Sequence, residues 1–194
     1  MKESPSMAEK DADLRFLALP PPAAAALRAL DASPRLLGHH LIVHHVAATL
    51  LVAMAKVWPD VPMNREAVLV GAATHDLGKT LHPEELTGPG RKHENDGPAL
   101  LEAHGVPPEQ ARFALTHGQW AHEANPPLED LVVALANTVW QGTRNQRLED
   151  AITQRVAELE GREIWRVFME LDDMLVSITE DAEIRIAWLD QQDA

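Results

Sequence analysis

The sequence contains no cysteine, which excludes disulfide bonds and metal sites built on thiolates. It also lacks an uninterrupted apolar run of about 18 residues, the length that a membrane-spanning helix needs. The apolar stretch 41–57 is interrupted by His44, His45 and Lys56. The first six residues, MKESPS, provide no apolar core for a secretory signal. We therefore expect a cytoplasmic protein without a transmembrane span.

Positive charge is scarce, because 17 Lys and Arg face 30 Asp and Glu, and the formal net charge is −13. Such a field repels phosphate backbones and disfavours binding to nucleic-acid polymers. Local basic residues can still hold a small anion, and bound metal would neutralise several acids. The composition therefore favours small substrates without excluding a nucleotide.

Patterns typical of strands are also scarce, and the chain has no internal repeat. Its 194 residues, 45% of them hydrophobic, suffice for one core of ordinary size. We predict an all-α, single-domain helical bundle. Residues 1–20 are expected to form a flexible tail and residues 21–194 the helical domain, with the functional motifs in 34–147 and the C-terminal helices in 148–194.

Helical spacing of apolar residues predicts a long helix over 34–58 and a second helix that Asn64 caps and Gly78 ends. His75 and Asp76 would then lie in its last turn. The segment 82–92 contains two prolines and two glycines and is expected to form a loop over a site. Other helices are expected from about residue 23 and at about 94–104, 107–117, 128–140, 148–160, 164–178 and 180–191.

Ten histidines are concentrated in the middle of the chain. A transition metal uses imidazole nitrogens and carboxylate oxygens, which helical sites draw from distant parts of the sequence. Burying an acid beside an imidazole without a cation would be costly, so the His75-Asp76 pair favours a metal site. A lone histidine such as His104 or His122 is better explained by a core hydrogen bond. The residues with suitable dispersion are His39, His75, Asp76, His93 and His117.

His40 and His44 are one helical turn apart and could bind zinc. The zinc-protease pattern requires a glutamate after the first histidine, however, and Leu41 stands there. We expect His40, His44 and His45 to be solvated or packing residues, with His40 or His44 as an alternative to His39. No glycine-rich phosphate loop or nucleophile elbow is present.

Several motifs together resemble the HD-domain family of metal-dependent phosphohydrolases, over about residues 34–147. They are GAATHDLGK at 71–79, HPEEL at 82–86, His93-Glu94 with Gly97, and THG at 116–118. The resemblance implies that His39, His75 and Asp76 bind a divalent transition metal, and that Asp76 bridges to a second ion held by His93 and His117. One or two ions would be bound, and such mixed ligands suit Mn, Fe, Co, Ni and Zn alike.

The family's last ligand is an aspartate, and Asn137 stands at the corresponding position. The first ion would carry about one more uncompensated positive charge, which should lower metal affinity. The Asn137 carbonyl oxygen can still serve as a ligand, and Glu94 or Asp96 is a candidate to compensate.

The resemblance implies hydrolysis of a small phosphate ester or nucleotide by metal-activated water, with Asp76 and Lys79 as catalytic residues. Lys79 would also hold the substrate phosphate, and the weaker candidates for that role are Arg91, Lys92 and Arg144. The alternative is a degenerate protein that binds metal and a nucleotide or phosphorylated ligand, or a partner protein, without turnover. A third possibility is homodimerisation through an apolar set that is better explained as core: Ile164, Trp165, Phe168, Leu171, Leu175 and Ile178.

Overall fold

The computed structural model describes residues 16–193, and these contain helices and no strand, which confirms the all-α prediction. Short 3-10 helices lie at Leu77–Thr80, Pro83–Leu86, Trp120–His122 and Gln191–Asp193. The α-helices are α1 (Pro21–Ala29), α2 (Pro34–Val57), α3 (Arg65–Ala72), α4 (Lys92–Ala103), α5 (Pro108–Ala111), α6 (Phe113–Gln119), α7 (Leu128–Val139), α8 (Gln146–Glu160), α9 (Ile164–Thr179) and α10 (Ala182–Asp190).

Local capping explains several helix ends. The Ser33 hydroxyl accepts a hydrogen bond from the Leu36 amide at 3.3 Å, and Asn64 caps α3 in the same way. Pro34 fits the first turn of α2 because that turn needs no amide partner. Gly161 ends α8 at a φ of +61°, a left-handed conformation that glycine adopts without strain.

Helix α2 crosses the middle of the molecule and packs against α3, α7, α9 and α10. It is the one helix among residues 16–193 that is long and apolar enough to cross a membrane, so the interruptions at His44, His45 and Lys56 do not exclude a span by composition. Many of its side chains are nevertheless buried against neighbouring helices. A core helix passes the same composition test, and the packing of α2 is that of a core helix.

Residues 1–15 of the expected flexible tail lie outside the described residues. The ring of Phe16 packs 4.5 Å from the ring of Trp188 and 5.8 Å from that of His45. The chain thus already contacts the helical core five residues before α1.

The prediction that His75 and Asp76 lie in a last helical turn ended by Gly78 was wrong. Helix α3 ends at Ala72, and His75 and Asp76 lie in a turn before the 3-10 helix Leu77–Thr80, which contains Gly78. The Thr74 amide bonds to the Gly71 carbonyl three residues earlier, and this contact tightens the turn. The chain therefore leaves the α-helical path before it reaches His75 and Asp76.

Two other segments differ from the expected pattern. The segment 82–92 is only partly a loop, because it contains the 3-10 helix Pro83–Leu86 and enters α4 at Lys92. The helix expected over 107–117 is divided at Arg112 into α5 and α6. In a continuous helix the Glu109 carbonyl would accept from the Phe113 amide, but it accepts from the Arg112 guanidinium instead.

The apolar set of α9 divides between core and surface. Leu171, Leu175 and Ile178 are buried in the main core, as the favoured interpretation held. Ile164 and Trp165 are instead 57% and 61% exposed. The first turn of α9 therefore presents apolar side chains to solvent.

Candidate metal centre

Asp76 lies at the centre of a cluster of imidazoles, and only 2% of the residue is exposed. Its Oδ1 atom is 3.1 Å from His93 Nε2 and 3.3 Å from His117 Nε2. Its Oδ2 atom is 3.3 Å from His39 Nε2 and 3.7 Å from His75 Nε2. The carboxylate is therefore placed between two pairs of histidines, one pair facing each oxygen.

Close backbone approaches bring these side chains together from α2, the turn after α3, the start of α4, and α6. A Cβ atom on Gly78 would lie 2.2 Å from the His93 carbonyl oxygen, so only glycine lets the 3-10 helix lie against α4. A Cβ atom on Gly71 would lie 2.4 Å from the Phe113 ring at the start of α6. Gly71, before His75, and Gly78, after it, thus permit these close approaches.

Hydrogen bonds fix the protonation of three of the rings. The Nδ1 atoms of His75 and His117 each lie 3.0 Å from a backbone carbonyl oxygen, and His93 Nδ1 lies 2.6 Å from a carboxylate oxygen of Glu85. Oxygens of these two kinds only accept hydrogen bonds, so Nδ1 carries a proton in each ring, and the neutral form of the ring presents a lone pair on Nε2. Burial lowers the pKa of His93, but its hydrogen bonds to Asp76 and Glu85 outweigh burial and raise the pKa, so a metal ion there would take the place of a proton on Nε2. In their neutral forms, His75, His93 and His117 therefore each present an Nε2 lone pair to the Asp76 carboxylate.

On its Oδ1 side the Asp76 carboxylate lacks a positive partner among the described residues, because Lys79 contacts the other oxygen, Oδ2, at 2.6 Å. Among residues 16–193 no donor reaches the buried Asp76 Oδ1, and the Nε2 atoms of His93 and His117 face it. Buried lone pairs that converge without a proton are destabilising unless a cation lies among them. Imidazole nitrogen and carboxylate oxygen are ligands that divalent transition metals prefer, so the residues fit such an ion.

The ionisation states suit metal binding as well. Burial lowers the pKa of His75 well below its ordinary value, which keeps the imidazole neutral. Burial alone would raise the pKa of Asp76, but the neighbouring imidazoles, His75 foremost, outweigh it and hold the pKa well below the usual range. Neutral imidazoles and an ionised carboxylate are the forms that bind metal.

Two groups of ligand atoms share Asp76. In each group the atoms lie within 4.8 Å of one another, close enough to hold one ion. The groups are His39, His75 and Asp76, and Asp76, His93 and His117. The structure thus brings together the five residues singled out by their dispersion in the sequence.

The cluster opens into a cavity of about 470 Å³. Lys79 lines it with its Nζ atom 2.6 Å from Asp76 Oδ2. Asn137 also lines the cavity, and its side chain forms no hydrogen bond with the residues that the structure describes. Trp140 forms part of the wall, with its ring 5.6 Å from the His39 ring in an edge-on arrangement.

Three of the basic residues proposed for phosphate binding do not line this cavity. Arg91 donates to the Gly118 carbonyl at 3.0 Å. Lys92 is exposed beside Glu84. The Arg144 guanidinium is held by the carboxylates of Glu149 and Asp172, each at 2.8 Å. Of the four predicted residues, the structure brings only Lys79 to the cavity.

The two acids considered as substitutes for the missing carboxylate lie in different places. Glu94 is buried at the cavity wall, where Gln119 donates to it at 3.0 Å, but it belongs to neither ligand group. Asp96 lies outside the cavity and pairs with His82 at 2.6 Å. Of these two acids, only Glu94 therefore lies at the cavity.

His40 and His44 are buried rather than solvated, at 0% and 2% exposure, because both face the core side of α2. Neither ring nitrogen of His40 has a hydrogen-bond partner in the described part of the chain, and burial lowers the pKa of this residue to about 3. Its ring packs 5.1 Å from that of His75. His39 belongs to a ligand group, and neither His40 nor His44 does.

Sequence reasoning missed two residues at the site. Glu85 holds His93 from an irregular segment, where no local pattern indicates that a carboxylate is buried. Arg35 lines the cavity and contacts Asp190 at 3.3 Å. Arg35 could have been found, because it lies four residues before His39 and hence on the same face of a predicted helix.

Comparison with known proteins gives one family match. The model of the HD domain family matches residues 36–139, just over half of the chain. No curated protein and no solved structure matched the chain. HD domains bind divalent metals and are generally metal-dependent hydrolases, in agreement with the two ligand groups around Asp76. With a match of this extent, the chain belongs to the HD domain family.

Proposed function

We propose that the protein is a metal-dependent phosphohydrolase that acts on a small phosphate ester or nucleotide. The observation that carries the proposal is the position of Asp76, whose two oxygens face four imidazole Nε2 atoms at a cavity. A bound divalent ion would supply Lewis acidity, which acidifies water and polarises a phosphoryl oxygen.

Two cations of the chain would act on the phosphate. Lys79 is held at the cavity by its 2.6 Å contact with Asp76, so a phosphate beside Asp76 meets a positive charge in a fixed position. Arg35 lines the same cavity beside Asp190, which its guanidinium contacts at 3.3 Å, and its positive charge would attract a phosphate that enters. We therefore replace the predicted Arg91, Lys92 and Arg144 by Arg35.

The size and charge of the molecule favour a small substrate. A cavity of about 470 Å³ falls within the range of about 300–1,000 Å³ that is usual for small-molecule sites. The net charge of −13 disfavours a nucleic-acid polymer. The proposed setting is the cytoplasm.

Asn137 favours a second candidate function, which is binding of metal and a phosphorylated ligand without turnover. Its neutral amide lines the cavity where the family has a carboxylate, and this leaves Asp76 as the one acid in the two ligand groups. An ion with fewer anionic ligands binds the protein less strongly and a phosphate more strongly. Tight binding of product could then replace turnover.

The test of hydrolysis uses protein loaded separately with Mn, Fe, Co, Ni or Zn. Substrates would be p-nitrophenyl phosphate, bis(p-nitrophenyl) phosphate and a set of nucleoside mono- and triphosphates. We expect release of phosphate or nitrophenol by the wild type and none by His75→Ala or Asp76→Ala. His122→Ala is the matched control, since His122 is exposed and outside both ligand groups. Activity that survives in both site variants contradicts the proposal.

Asn137→Asp separates the two candidate functions. In a phosphohydrolase that uses the Asn137 oxygen, the wild type already turns over at ordinary enzymatic rates. In a degenerate protein, the wild type is inactive, and Asn137→Asp gains both metal and hydrolysis. Metal content and phosphate release measured on the same preparations distinguish these outcomes.

A further inference from the structure

Glu85 is buried although its neighbour Glu84 is exposed. The exposed fractions of the two side chains are 3% and 58%. Glu85 lies in the 3-10 helix Pro83–Leu86 and is not among the residues that line the cavity beside Asp76. A buried carboxylate requires hydrogen-bond partners, and those of Glu85 all lie at the start of α4.

Glu85 accepts three hydrogen bonds there. Its Oε1 atom accepts from the Lys92 amide at 3.1 Å, and its Oε2 atom accepts from the His93 amide at 3.1 Å. The same Oε2 atom accepts from His93 Nδ1 at 2.6 Å. Arg91, the residue before α4, provides no side-chain cap. Glu85 therefore caps the helix from a distant position and holds the first imidazole of that helix.

The contact with Nδ1 determines what His93 presents to Asp76. A carboxylate only accepts hydrogen bonds, so the shared proton belongs to Nδ1. In the neutral ring, His93 Nε2 is then left with a lone pair 3.1 Å from Asp76 Oδ1. Glu85 thus selects the tautomer that binds a metal and fixes the plane of the ring.

His93 differs from His75 and His117 in the group to which its Nδ1 donates. His75 and His117 donate from Nδ1 to backbone carbonyls, whereas His93 donates to an ion with a full negative charge. A carboxylate partner increases the basicity of a metal-ligating imidazole. In the group of Asp76, His93 and His117, His93 is therefore the ligand whose basicity a carboxylate partner increases.

Gly90 provides the space for the Glu85 carboxylate. A Cβ atom at Gly90 would lie 2.2 Å from both Glu85 Cδ and Oε1. Any other residue at position 90 must displace the carboxylate from the start of α4. The chain thus offers a second position at which the same contact can be broken.

We propose that Glu85 is a positioning residue that sets the affinity of the ion held by Asp76, His93 and His117. It does so by holding His93 in its metal-binding tautomer and orientation. The inference rests on the metal binding that the proposed function requires, but it does not depend on hydrolysis.

The test is a titration with Co²⁺ of the metal-free wild type, of Glu85→Gln and of the matched control Glu84→Gln. Calorimetry and visible absorption measure the binding. Glutamine can still cap α4 through its carbonyl oxygen but cannot place two anionic acceptors at once. We expect Glu85→Gln to lose about 10- to 100-fold in affinity for one ion, as outer partners of metal ligands typically do. His93→Ala identifies that ion, His39→Ala identifies the other, and Glu84→Gln should match the wild type.

A second measurement distinguishes positioning from folding. The ¹⁵N shifts of the His93 ring in the metal-free protein, recorded at a pH where the ring is neutral, report which nitrogen carries the proton, and we expect Nδ1 in the wild type and a mixture in Glu85→Gln. Gly90→Ala should reproduce the loss of affinity, and it should add little in the Glu85→Gln background because both act on one contact. If Glu85→Gln does not fold, Gly90→Ala carries the same test.

The outcomes separate this inference from the proposed function. Wild type that binds no ion contradicts both. Unchanged affinity and an unchanged His93 tautomer in the variants contradict the role of Glu85 alone. Weakened binding in the variants, together with no hydrolysis by any wild-type preparation, supports the role of Glu85 and contradicts the phosphohydrolase.

Discussion

The metal-centre region and the C-terminal helices α8–α10 bury different kinds of side chain. Around Asp76 the buried residues include histidines and acids whose partners lie within the site. Helices α8 and α9 instead contribute mainly apolar residues to the core, and several of their ion pairs are solvent-accessible. The buried apolar residues of these two helices include Leu148, Ile152, Val156, Val167, Leu171 and Leu175.

This difference shows where each region obtains its stability. Apolar burial stabilises a helix without any ligand, by about 1.5–3 kcal/mol for a fully buried leucine relative to an exposed one. Converging lone pairs around a buried carboxylate are unfavourable until a cation arrives. We therefore expect the C-terminal helices to fold in the absence of metal and the metal-centre region to gain stability on loading.

The largest effect is expected from removing the charge of Asp76. Asp76→Asn leaves a neutral amide between four imidazoles, so we expect metal affinity to fall by more than the roughly 100-fold that loss of an outer partner can cost. Elemental analysis after dialysis measures the bound metal. The control is Asp172→Asn, which removes a carboxylate that pairs with Arg144 outside the site. Full retention of metal by Asp76→Asn would contradict the placement of the site.

Shortening a buried side chain in the C-terminal helices should have the opposite effect, which is a loss of stability without a loss of metal. Leu175 is 0% exposed, so Leu175→Ala should lower the free energy of unfolding by about 2–5 kcal/mol. Urea unfolding measures this change. Metal bound per folded molecule should remain that of the wild type. A selective loss of metal without a loss of stability would show that the packing of the C-terminal helices controls the metal centre.

A histidine outside the ligand groups should make the protein acid-sensitive. Burial, followed by the neighbouring His45, lowers the pKa of His44 to about 4. In the unfolded chain the imidazole titrates near its ordinary pKa of about 6.5, so between these values the unfolded chain binds more protons. The free energy of unfolding should therefore fall as the pH falls from about 6.5 to about 4.

His44→Leu tests this assignment by urea unfolding at several pH values. In the variant, the number of protons that unfolding takes up between pH 6.5 and 4 should decrease by up to about one. The variant should be at least as stable as the wild type at pH 7, because buried His44 Nδ1 has no partner among the residues that the structure describes. An identical pH dependence in the two proteins would assign the acid sensitivity to other groups.

The smallest effect is expected at the exposed start of α9. Trp165 is 61% exposed, so Trp165→Ser should change the free energy of unfolding by less than about 0.5 kcal/mol. Light scattering at several concentrations then tests homodimerisation separately. If the wild type is dimeric and Trp165→Ser shifts it toward monomer, the exposed apolar turn is an interface.

Regular segments were easier to predict than the site that they form. The bounds of α2, α7 and α8 follow from caps, prolines and apolar spacing within a few residues, since these signals are local. The prediction of an α-helical turn at His75 and Asp76 was wrong because a few backbone hydrogen bonds between residues three apart, such as that from the Thr74 amide to the Gly71 carbonyl, decide between an α-helix and a tighter turn. The sequence also could not show that Arg144 pairs with Glu149 and Asp172 instead of lining the cavity.

The sequence by itself determined the helical class, the family resemblance and the residue types at the metal centre. These depend on periodicity and on side-chain chemistry, both of which can be read along the chain. Only the tertiary structure decided that Asp76 divides its oxygens between two histidine pairs and that Glu85 holds His93. The physical reason is that ligand geometry and burial arise from contacts between distant segments, which no local pattern specifies.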